Sequence, residues 1–109
     1  MIGIELVYFE GCRSWQRAWT ELGRALVDLG LDASVRLCNV DRLGEDERSG
    51  FAGSPTIRIE GWDLEGYAGA PVTACRRYLD NDGKGWPSQA LLRERLRTAS
   101  AERAKHGLH

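Results

Sequence analysis

Cys12, Cys38 and Cys75 are the residues of this 109-residue chain best suited to nucleophilic chemistry, and Cys12 occupies the most telling position. It follows a nearly continuous apolar run, Ile2–Phe9, and precedes a long stretch of helical periodicity. Three effects meet at such a place. A helix start carries partial positive charge and unpaired N–H groups, which stabilise an anion. The thiolate is the reactive form of cysteine, and such a site lowers the thiol pKa. The carboxyl end of a central strand in an open α/β sheet is where ligand crevices form. Arg13 adds a local positive charge and Glu10 opposes it. Position alone therefore makes Cys12 a candidate nucleophile, against the plainer reading of a semi-buried structural thiol in a loop.

Ser54-Pro55-Thr56 stands immediately before an alternating segment, Thr56–Glu60. A peptide bond to proline can be cis there, a form taken by only about 5–6% of such bonds in folded proteins. Other chemistries find no footing. His106 and His109 lie in the tail, outside the predicted elements, so no Ser-His-Asp set can be assembled. The three cysteines lack the spacing of a zinc site. Gly50 and Gly53 lack the strand–turn–helix context of a phosphate-binding loop. No metal or cofactor is expected.

The elements that must position these residues follow from periodicity. Residues 2–9 read as a central strand buried on both faces. Trp15, Ala18, Trp19, Leu22, Ala25, Leu26 and Leu29 recur with a 3.6 period, which predicts an amphipathic helix over about 13–29 with Gly30 at its end. Residues 33–40 read as a second strand, parallel to the first by the βαβ rule. Residues 42–49 suggest two short helical turns. Thr56–Glu60 reads as a third strand, 61–71 as a glycine-rich excursion, and 72–79 as a fourth strand. Ser88 caps a final helix running to about Ala104, and 105–109 are expected to fray. The order β-α-β-(α)-β-β-α predicts a single domain over 1–109, with its core over about 2–104. It is a mixed four-stranded sheet flanked by helices.

Composition narrows the function classes. With 42% apolar and 28% charged residues the chain is ordinary globular protein, not wholly disordered. A net charge of −1 argues against nucleic acid or an anionic membrane as partner. No apolar run approaches the length of a membrane span. The first residues lack a basic region and a cleavage site, so a cytoplasmic location with free thiols is expected. Thirteen arginines against two lysines suggest a GC-rich bacterial gene.

Together these features resemble the thioredoxin-like superfamily, over roughly residues 2–104. The resemblance rests on Gly11-Cys12 at a strand end, a long amphipathic helix, a second strand, and Gly50-Phe51-Ala52-Gly53-Ser54-Pro55-Thr56-Ile57 before a hairpin and last helix. More narrowly, Tyr8–Trp15 and Ala74-Cys75-Arg76-Arg77-Tyr78 are similar to small actinobacterial thioredoxin family proteins with one active-site cysteine. The resemblance implies that Cys12 takes the place of the attacking cysteine and that Pro55 is the cis-proline lying against it. The departure is Cys12-Arg13-Ser14-Trp15, where tryptophan replaces a resolving cysteine. That puts a dithiol cycle in doubt and leaves monothiol chemistry. The Cys12 thiolate attacks a disulfide or electrophile, and a second thiol resolves the mixed disulfide.

The functional reading is thus a monothiol thioredoxin-fold protein, a thiol–disulfide oxidoreductase if it is an enzyme. Cys12 is the nucleophile, and Gly11, Arg13 and Ser14 frame the thiolate. Ser54, Pro55 and Thr56 bind an extended disulfide partner by β-type pairing. The partner is a protein or a low-molecular-weight thiol or disulfide, and no oligomeric state is implied. The alternative is a redox-inactive binding or accessory module of a biosynthetic or detoxification pathway, gripping its ligand through loop aromatics such as Trp62 and Tyr67. Cys38 reads as a small hydrophobe in the sheet. Cys75 is the candidate second thiol. On an extended fourth strand, however, it lies about 13–16 Å from the Pro55 end, beyond the reach of a disulfide. On the same model Tyr78 lies nearer that end, as a lining residue.

Overall fold

A computed structural model describes residues 1–106. Its regular elements are β1 (Ile2–Tyr8), α1 (Ser14–Leu29), β2 (Ala33–Asn39), α2 (Glu45–Arg48), β3 (Thr56–Ile59), β4 (Trp62–Asp63) and α3 (Gln89–His106), with 3-10 turns at Val40–Arg42 and Leu79–Asn81. The four strands form one mixed sheet in the order β2-β1-β3-β4. β1 runs parallel to β2, with Ile2 opposite Ala33 and Tyr8 opposite Asn39. β3 runs antiparallel to β1, with Ile4 opposite Ile59 and Val7 opposite Thr56. The chain is therefore an α/β protein with a four-stranded mixed sheet. Residues 107–109, with His109 and most of the expected fraying tail, lie outside the described residues.

Alternation along β1 sends its side chains to two clusters. Ile2, Ile4 and Leu6 join Ala18, Leu22 and Ala25 of α1, Ile57 and Ile59 of β3, and Leu92 and Leu96 of α3. Val7 points the other way, to Cys38, Val40 and Phe51. α1 and α3 lie together over the first face. The second face is closed by Val40, Phe51 and Leu43, whereas the four residues of α2 bury nothing. Cys38 is a buried apolar member of that second cluster, in the role its strand position suggests.

α1 ends where expected, at Gly30 with φ 63°, and Ser88 Oγ accepts the Leu91 N–H at the start of α3. α3 continues to His106, beyond the expected end. Trp19, expected in the core, is 39% exposed. The buried stripe of α1 is narrow, centred on Ala18, Leu22 and Ala25, and Trp19 falls on its flank.

The largest correction concerns the fourth strand. It is Trp62–Asp63, reached at once through a two-residue turn at Glu60 and Gly61, both with positive φ (52° and 85°). That is the backbone of a tight hairpin whose twist matches its strands. Residues 72–79 are not a strand; they carry isolated bridges from Cys75 to Ser54 and from Tyr78 to Lys84.

Candidate functional site: a buried thiol on the Ser54 carbonyl

The site forms where β1 ends, α1 begins and β3 starts. Cys12 follows a turn closed by its own N–H on the Phe9 carbonyl (3.2 Å) and lies two residues before α1. Arg13 is the N-cap residue and contributes no side-chain cap. Gly11 and Arg13 are exposed, but Cys12 is only 2% exposed. Its Sγ donates to the carbonyl of Ser54 at 3.2 Å, across 42 residues of sequence. Ser14, expected to frame the thiolate, makes no hydrogen bond to the Cys12 sulfur. Ser14 packs against Gly85, where a Cβ would fall on its side chain. The Ser54-Pro55 peptide bond is cis.

Ser54 is fully buried and every polar group on it is engaged. Its N–H donates to Ala74 O (2.9 Å), its carbonyl accepts from Arg76 N (2.8 Å) as well as from Cys12, and its hydroxyl accepts from Phe9 N (3.1 Å). The Thr56 hydroxyl donates to Gly53 O and accepts from Ala52 N, while its backbone sits in the β1–β3 ladder. The edge expected to receive an extended partner is thus covered by the chain's own residues 74–76. Gly53 makes that approach possible: at φ 101°, a Cβ there would meet Ala74 O at 2.7 Å.

This covering segment brings Cys75 directly opposite Ser54 in a parallel bridge. Sequence spacing along a regular hairpin predicted the opposite, a separation too great for contact. The early turn at Gly61 ends the hairpin after two residues, so the chain is free to return and pair with 54 in the parallel sense. Cys75 is exposed. Hydrogen bonding to Cys12, then partial burial, then the charge of Cys12 raise its pKa above the usual thiol range. All three cysteines are free thiols.

Two side chains of the same segment fasten it, and sequence reasoning missed one of them. Arg76 is buried and forks onto Asp63 of β4 through both carboxylate oxygens, Nη2 to Oδ2 at 2.8 Å, with Glu65 at 3.4 Å. Burial opposes the Asp63 carboxylate, but the Arg76 hydrogen bonds and charge, with the N–H groups of Glu65 and Tyr67, hold its pKa below the usual range. Tyr78, expected as a lining residue, is fully buried and donates its hydroxyl to Pro55 O at 2.7 Å. The Arg76 guanidinium covers its ring at 4.3 Å. Arg76 and Tyr78 are buried while Cys75 and Arg77 between and beside them are exposed, an alternation that the adjacent arginines Arg76 and Arg77 do not announce in the sequence.

No protein-family model, curated protein or solved structure gives a significant match to this chain.

An open groove beside Cys75 is lined by Ala52, Tyr67, Cys75, Arg77 and Leu79. A larger cavity of about 800 Å³ lies away from the thiols, between β3–β4 and α3, and holds no cysteine. Among the described residues no cluster of His, Cys, Asp and Glu is arranged to hold a metal. No described helix is long and apolar enough to cross a membrane.

Proposed function

We propose that this chain carries out thiol–disulfide exchange at Cys12, on a thioredoxin-like scaffold. The observation that carries the reading is the Cys12 Sγ at 3.2 Å from the Ser54 carbonyl, at the meeting of a strand end, a helix start and the Ser54-Pro55 peptide. A thiol placed there is held in a defined orientation by Ser54 and lies next to a helix start. Catalysed reduction of a small aromatic disulfide by dithiothreitol tests this. Cys12→Ala should lower the acceleration over the uncatalysed rate, and full retention by that variant would overturn the reading.

A second reading has one specific observation in its favour. Trp62 is 79% exposed at the rim of the cavity between β4 and α3. There the fold serves as a binding module, and Trp62→Ala rather than Cys12→Ala removes function.

A further inference from the structure

We infer that Cys12 and Cys75 work as a pair, in which the exposed Cys75 meets a low-molecular-weight disulfide and the buried Cys12 resolves it to an internal Cys12–Cys75 disulfide. The inference rests on the exchange reading above and supplies the second thiol that Cys12-Arg13-Ser14-Trp15 lacks.

Ser54 ties the two sulfurs together. Cys12 Sγ bonds its carbonyl, and the residues on either side of Cys75 bond its N–H and carbonyl. Residues directly opposite in a ladder share a face, so the Cys75 side chain projects to the same side as the Ser54 hydroxyl. That side is the 9–12 turn, because the hydroxyl accepts from Phe9 N.

Exposure assigns the roles. Cys12 lies beneath the surface, while Cys75 opens onto the groove lined by Tyr67, Arg77 and Leu79. The raised thiol pKa of Cys75 works against it as first nucleophile. However, each tenfold loss of thiolate is offset by about a threefold gain in intrinsic nucleophilicity, and an inaccessible sulfur gains nothing from either. Access decides. The class of partner follows from the Ser54 edge. Residues 74–76 already fill the backbone positions that an extended peptide would pair with, so the groove is left for a small disulfide.

The steps balance. Cys75 gives its proton to solvent and its thiolate attacks one sulfur of RSSR, releasing RS⁻ and forming the Cys75–SR mixed disulfide. Cys12 then loses its proton and attacks the Cys75 sulfur, expelling the second RS⁻. The protein dithiol is oxidised by two electrons and RSSR is reduced to two thiols.

The test is oxidation of the native chain with glutathione disulfide, followed by alkylation of remaining thiols and peptide mapping by mass spectrometry. Circular dichroism confirms that each variant is folded. The wild type should yield a Cys12–Cys75 disulfide with Cys38 left alkylatable. Cys12→Ala should stop at a glutathione adduct on Cys75, and Cys75→Ser should lose most of the reaction, with Cys12 unmodified. A Cys75→Ser variant that takes up glutathione on Cys12 at the wild-type rate would overturn the pairing and leave exchange at Cys12 standing. An internal disulfide that forms but is not reopened by reduced thiols would keep the pairing and overturn the exchange reading. Complete inertness of the wild type would overturn both.

Discussion

Cys12 reaches Ser54 from the end of β1, a strand laddered on both sides and packed on both faces, whereas Cys75 reaches it from residues 64–88, which contain no strand. The first wall of the site is held by apolar burial and ladder bonds. The second adds polar fastenings to the burial of Leu64 and Tyr78 in the same core: Arg76 on Asp63, Tyr78 on Pro55, Asn81 on Trp86 O, and the bridge to Ser54. The difference teaches that the two sulfurs have separable supports. Weakening the core loosens the whole molecule, while cutting a polar fastening loosens the Cys75 wall in particular. Local opening of such a segment is the lower-energy event.

The sharpest way to break this comparison is Asp63→Asn. It removes the charge and one of the two acceptor oxygens that Asp63 offers the buried Arg76 guanidinium, leaving Glu65 as its remaining carboxylate, and losing one member of a buried pair costs about 3–5 kcal/mol. Urea denaturation should show that loss, and Cys75 alkylation should quicken under native conditions. An unchanged midpoint would mean the bridges to Ser54 suffice. The same pair sets an acid limit. Because the folded Asp63 pKa is depressed, its stabilisation is present above the ordinary carboxyl value of about 3.9 and is lost as pH falls through the lower folded value. Asp63→Asn should flatten that part of the stability–pH curve.

Leu96→Ala addresses the other wall. Truncating this fully buried α3 residue should cost about 2–5 kcal/mol in global stability. Native-state alkylation of Cys75 should hardly change, since Leu96 takes no part in the polar fastenings. A smaller loss, about 1–3 kcal/mol, is expected for Tyr78→Phe, which leaves the buried Pro55 carbonyl without its donor. Combined with Asp63→Asn it should be non-additive, because Arg76 touches both side chains. The mildest change is Cys12→Ala. Removing Cys12 removes the main cause of the raised Cys75 pKa, so the alkylation of Cys75 should rise at lower pH than in the wild type. An unmoved profile would separate the two thiols.

Much of the first wall was legible. The apolar run of β1, the stripe of α1 with its terminal Gly30, and the Ser88 cap are local patterns, and each maps onto a local backbone consequence. The second wall was not. Residues 72–79 read as a fourth strand, yet Val72 and Leu79 are exposed and the chain pairs only at isolated points. Asp63 and Arg76 are thirteen residues apart, and nothing in their spacing announces that one will be buried on the other.

Periodicity and end signals alone determined that a strand would deliver Cys12 to the start of a long helix, because those signals act within a few residues. Whether a second sulfur would join it was decided by tertiary structure. A two-residue turn at Glu60-Gly61, a glycine at 53 that admits a neighbouring backbone, and a buried ion pair together lay Cys75 across Ser54. Such long-range pairings depend on the register of whole segments, and a one-residue change in where a turn falls redirects every side chain beyond it.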